Sequence, residues 1–338
     1  MLIGKLSVQI EFEIYDYSKP FLSMLNRRHL RVKVLQSLYS YHQSDKKEIQ
    51  AHEKLMLQSI DKVFEMYTWM LSLIDEVIQF SANDAAERAN KHLPTADDLN
   101  PNLKILENRF ITSLHVNKEY IAAIKRYKVS WDFEPELAKS LFIVLKNSDD
   151  YAAYLAKTDD TLQTDKDIIK FIFKKVILKS TLAEQVFEDK FISWPVDRDV
   201  LQALIAKTFK NFSFNNPQEN KLAEVTGNWT EDREFIVDLF EKTIRHDAEY
   251  QELIGQKTQN WEPERIAMMD TLLMKMAICE FVNFASVPVK VTINEYLEIA
   301  KEFSTPKSNS FINGILDKIL FELKEANKIR KTGRGLIE

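Results

Sequence analysis

The chain has 338 residues, with 46 Lys and Arg against 51 Asp and Glu, so at a net charge of −5 any nucleic-acid contact needs a local basic patch. Six glycines leave little room for tight hairpins, and this scarcity points to helices joined by short polar loops. The lone cysteine, Cys279, rules out an internal disulfide or a cysteine-rich zinc site and fits a reducing cytoplasm, and with no histidines paired at helical spacing no metal is expected.

No apolar run reaches membrane-spanning length, so no membrane partner is expected. Residues 8–14 alternate apolar and polar as a strand would, yet no partner strand is evident nearby. Met24 directly precedes a strongly patterned helix, which suggests that residues 1–23 are an over-extended, unstructured start. The stripe Leu30, Val34, Leu38 and Tyr41 predicts a helix over 27–43. Apolar periodicity predicts a long helical segment over 48–80 and a further helix over 103–125.

The next stretch contains an echo. The run from Asp167 and the run from Glu234 both read helix, link, helix, then Trp, Pro, Arg and another apolar helix, anchored on Trp194 and Trp261. The shared punctuation favours duplication over a chance likeness of amphipathic helices, and a fainter third copy surrounds Trp131. Residues 211–230 are polar, with Pro217 and Gly227, and read as a linker. Helices follow at about 231–246, 247–257, 263–282, 292–303 and 309–327, then a basic tail over 328–338. Thr292 and Glu295 stand at capping-box spacing for the fourth of these, and Ser308 is placed to cap the fifth.

Two places could carry binding chemistry. From Tyr17 to Ser44 there is no acidic residue, while Arg27, Arg28, Arg31 and Lys33 crowd the first helix. The spacing of positions 28, 31, 35 and 39 puts Arg28, Arg31 and Tyr39 on one flank. Guanidiniums hold phosphates and an aromatic ring stacks a base, a combination suited to single-stranded RNA. On spacing alone, a solvated basic face with a core tyrosine explains the pattern as well. The second place is the polar loop over 305–310 with Phe311 at the head of the last helix, where a buried phenylalanine is the plainer reading.

Here a family resemblance enters. Arg27-Arg28-x-x-Arg31-x-x-x-x-Gln36-x-Leu38-Tyr39 resembles the arginine-rich first helix of the NusB family. The run P-x-K-V-x-I-N-E-x-x-E-I-A-K-x-F-S, then S-x-x-F-I-N-G-I-L-D-K-I, is similar to that family's last two helices, and Trp261-x-x-x-Arg265 to its middle ones. The resemblance implies an all-α bundle in two subdomains, with no catalytic activity, no cofactor and a cytoplasmic location. It also implies binding to the boxA element of ribosomal RNA leaders, pairing with NusE, a small-subunit ribosomal protein, and action within the RNA polymerase antitermination complex. Its RNA contacts carry over to Arg27, Arg28, Arg31 and Tyr39, and to Lys307, Ser308 and Phe311. Lys307 stands where some relatives are acidic, and a large helical insertion over 45–210 sets this chain apart.

The resulting expectation is a first helix over 24–44, the insertion, the linker over 211–230 and a C-terminal subdomain over 231–327. Alanine at both Arg28 and Arg31 is expected to weaken RNA binding while leaving helicity intact. A helical-repeat adaptor without RNA binding is the alternative. An RNA methyltransferase is disfavoured, because the only G-x-G, at Gly333 and Gly335, has no strand before it and no helix after it.

Overall fold

The structure, a computed structural model, describes residues 27–158, 161–213, 215–258 and 266–336. The strand reading at 8–14, the start at Met24 and the anchors Trp261 and Arg265 lie outside those residues. Among the described residues there are fifteen α-helices and no strand. They are α1 (Arg27–Gln43), α2 (Ile49–Ala89), α3 (Ala96–Leu99), α4 (Arg109–His115), α5 (Lys118–Tyr127), α6 (Pro135–Lys146), α7 (Asp149–Ala156) and α8 (Leu162–Phe171). Then come α9 (Thr181–Lys190), α10 (Trp194–Asn211), α11 (Trp229–Arg245), α12 (Asp247–Lys257), α13 (Met268–Asn283), α14 (Val289–Phe303) and α15 (Ser308–Glu325).

The long apolar period after residue 48 builds α2, a helix of 41 residues and so about 62 Å in length. It is the spine of the molecule: α5, α6 and α10 pack along it, and α1 and α11 lie against it as well. The helices α11 to α15 form a second body, with α13 packed against α11, α12, α14 and α15. One continuous hydrophobic core runs through both bodies.

The helix expected over 103–125 is broken twice, for a reason visible in the side chains. Asn108 accepts hydrogen bonds from the amides of Phe110 and Ile111 and donates to the Asp165 carbonyl. Asn117 accepts from the Tyr120 amide and donates to the carbonyls of Pro217 and Asn220. Both asparagines are fully buried, and each caps a new helix while tying it to a distant segment. The second tie also fastens the polar stretch over 211–230. There Phe212, Leu222 and Ala223 are buried, and the Tyr67 hydroxyl accepts from the Ala223 amide.

The capping box expected at Thr292 does not form. α14 begins one turn earlier, at Val289 behind Pro288. Thr292 then sits inside the helix, and Glu295 faces α1. Ser308 likewise opens α15 without capping it. The tail packs back on α13: the Lys331 ammonium donates to the carbonyls of Glu280 and Phe284.

Candidate nucleic-acid interface

The first helix does not offer its cations as one open face. From Leu30 to Leu35 every residue of α1 is buried, because α2, α11, α13 and α14 surround it. A helix enclosed on all sides must find partners for any charge it carries inward.

Arg31 is the clearest case, and its expected place at the surface is corrected by its burial: the residue is 1% exposed. Its Nε and Nη2 donate to the two carboxylate oxygens of Glu280 at 2.9 and 2.5 Å. The Thr292 hydroxyl donates to the same carboxylate at 2.9 Å and the Tyr296 hydroxyl at 3.1 Å. The guanidinium also lies 5.4 Å from the Phe235 ring centroid and 5.8 Å from that of Tyr296. Burial pulls the Arg31 guanidinium down, and the Glu280 carboxylate outweighs it, so the group stays charged. Burial, helped by the same carboxylate, holds the Tyr296 phenol well above its ordinary range. Arg31 therefore positions α1 and cannot reach a ligand at the surface.

Arg28 lies half-exposed at the edge. Its Nε and Nη2 both donate to Glu295 at 2.9 Å, a two-pronged pair that raises its affinity for the proton. Glu298 adds to that effect, and Glu302 is near enough for Arg28 to act on it. Arg27 sits 3.3 Å from Asp232 and stacks over Phe235 at 4.4 Å, with 43% of its side chain exposed. Tyr39 is exposed. It lies eleven residues beyond Arg28, about 16 Å along the helix axis.

The loop before α15 separates into two kinds of residue. Lys307 is exposed and Phe311 half-buried against the core. Ser308, expected among the RNA contacts, is 2% exposed. Its hydroxyl donates to Asp270 at 2.7 Å, and Ser304 donates to the other oxygen of that carboxylate. Ser308 thus anchors the loop to α13. Both halves of the expected site border α14, Arg28 through Glu295 and the head of α15 through Asn309, which donates to the Leu297 carbonyl at 2.9 Å.

Residues 198–321 match the family model described as NusB family. Over 105 residues the chain is 45% identical to the transcription antitermination protein NusB of Salinibacter ruber. The C-terminal part of this chain is a NusB-family domain. Similar proteins of the same description come from Chloroherpeton thalassium, 41% identical over 106 residues, and Koribacter versatilis, 41% identical over 96. These stretches cover 31%, 31% and 28% of this chain and 66%, 50% and 66% of the three relatives. No solved structure gives a significant match. The NusB match begins inside α10, which the sequence reading placed in the insertion, and α1 lies outside it.

The carboxylates Glu280, Glu295 and Asp232, which hold the arginines of α1, escaped the sequence reading. Glu280 had a signal: it is the only acid in the apolar stretch over 272–284. Glu295 was read as a cap. Among the described residues no helix is long and apolar enough to cross a membrane, and no acidic or histidine cluster could hold a metal ion.

Proposed function

We propose that this chain is a transcription antitermination factor that binds boxA-type single-stranded RNA of ribosomal RNA leaders together with NusE in the cytoplasm. The observation that carries the reading is the 45% identity of its C-terminal region to an antitermination protein. Glu280, within that region, grips Arg31 of the arginine-rich helix. RNA meets Arg27, Arg28 and Tyr39 on α1, and Lys307 and Phe311 at the head of α15. Arg31 and Ser308 hold those two elements in place. No catalytic step is assigned.

The paired state of Arg28 shapes the binding. A phosphate must draw this guanidinium away from Glu295, so affinity rests on exchange of one anion for another and falls with salt. The middle helices could add a protein-binding surface, since Ile192 and Phe133 are exposed there. The test is a filter-binding titration of the full chain with boxA-type RNA at two salt concentrations, with and without NusE. Salt-sensitive binding that NusE strengthens supports the reading, and equal retention of boxA and scrambled RNA rejects it.

A further inference from the structure

The end of α13 meets the start of α1, and the tail after α15 is strapped to that junction. The two helices run antiparallel there. Arg31 is level with Glu280, which it grips, and one turn further on Arg27 is level with Phe284. Phe235 of α11 joins the last two: its ring centroid lies 4.4 Å from the Arg27 guanidinium and 5.3 Å from the Phe284 centroid. The match to the NusB family stops at residue 321, so the tail lies beyond it.

A helix ends in carbonyls that have no partner within it, and their partial negative charge repels a phosphate. That negative end of α13 stands beside Arg27, where the RNA backbone is expected. The tail cancels it. The Lys331 ammonium donates to the carbonyls of Glu280 and Phe284 at 3.1 and 2.9 Å, and the Thr332 amide donates to the Ala285 carbonyl at 3.0 Å. Ile329 packs against the core two residues earlier. Ile329 and Lys331 are half-buried, whereas Arg330 between them is exposed, the alternation of a chain with successive side chains on opposite sides. Among the described residues Arg330 has no carboxylate partner, in contrast to Arg27 and Arg28.

We propose that the tail extends the RNA surface past Arg27: Lys331 screens the carbonyl end of α13, and Arg330 holds a phosphate of a nucleotide flanking the boxA-type element. The proposal rests on the RNA-binding reading, from which it takes Arg27 as a contact. Arg330 needs no anion exchange to bind, since no carboxylate has to be displaced first.

The test is a filter-binding titration of the full chain over a range of salt, with two boxA-type RNAs. One ends at the element and the other carries flanking nucleotides on both sides. The native chain should bind the longer RNA more tightly. Arg330→Ala should weaken the longer RNA several-fold and lower its slope of log affinity against log salt by about 1, with the shorter RNA unchanged. Lys331→Met uncovers the carbonyls of α13 and should weaken the longer RNA at least as much. Lys328→Ala removes the same charge from an exposed tail position that pairs with Glu249 of α12, and should change neither RNA. Equal losses in Lys328→Ala and Arg330→Ala would reduce the effect to net charge and overturn the proposal. So would an Arg330→Ala protein that binds the longer RNA as the native chain does, or that weakens both RNAs alike. Failure of the native chain to bind either RNA overturns the RNA reading as well.

Discussion

Arg31 and Lys33 leave α1 two residues apart, on nearly opposite sides, and each meets a carboxylate from a different region. The NusB-like region reaches Arg31 through Glu280 with two hydrogen bonds, and Thr292 and Tyr296 add two more to the same carboxylate. The middle region reaches Lys33 through a single bond from Asp197. Both pairs are buried to about the same degree. The difference lies in how completely each is satisfied, and in whether its cation can give up a proton. A lone buried ammonium can shed its charge, whereas a guanidinium cannot. The middle helices are thus fastened to α1 as a second partner, by a more adaptable bond.

Glu280→Ala should break this comparison most severely. It strands a guanidinium and two hydroxyls in the core, and should cost about 3–5 kcal/mol in a urea titration followed by circular dichroism, at every pH from 6 to 10. Asp197→Ala should cost near the lower end of that range, about 3 kcal/mol, at neutral pH. Equal losses in the two variants would show that the two regions hold α1 in the same way. The double alanine change at Arg28 and Arg31 takes the guanidinium from buried Glu280 and should lower stability as well as RNA binding, so RNA binding is better probed at the edge.

Smaller effects are expected there. Arg28→Ala should weaken boxA-type binding several-fold and lower the slope of log affinity against log salt by about 1. Glu295→Gln should do the reverse and tighten binding a few-fold, because it frees the same guanidinium. A Glu295→Gln protein that binds more weakly would mean that the pair orders Arg28 for RNA instead of competing with it. The smallest effect concerns Cys279, beside Glu280 in the chain. Burial pushes its thiol up to about 11, so Ellman's reagent at pH 8 should label it only as fast as the NusB-like region opens. Asp197→Ala should leave that rate nearly unchanged, whereas Glu280→Ala should raise it.

Much of this was legible in the chain, and the exceptions share a cause. The apolar period gave α1 end to end and α12 likewise, because apolar side chains recur in each at helical spacing. It did not give the breaks at Asn108 and Asn117, whose partners are 57 and about 100 residues away. Thr292 and Glu295 were misread because a capping spacing is also the spacing of two side chains on one helix face. Only the neighbours of α14 decide which use is made of it. Ser308 and Arg31 were misplaced for the same reason, since each is polar by type and interior by position.

The sequence by itself determined the all-helical class, the places of α1, α2 and α11 to α15, the NusB-like C-terminal region and the concentration of arginine on the first helix. These follow from spacing and residue type, which act over one or two turns. The tertiary structure alone decided which of those cations stay at the surface. Charge placed on a helix is free or captive according to what packs around it. Here α10 and α13 bring Asp197 and Glu280 against α1 from 164 and 249 residues away, a distance over which no local pattern carries information.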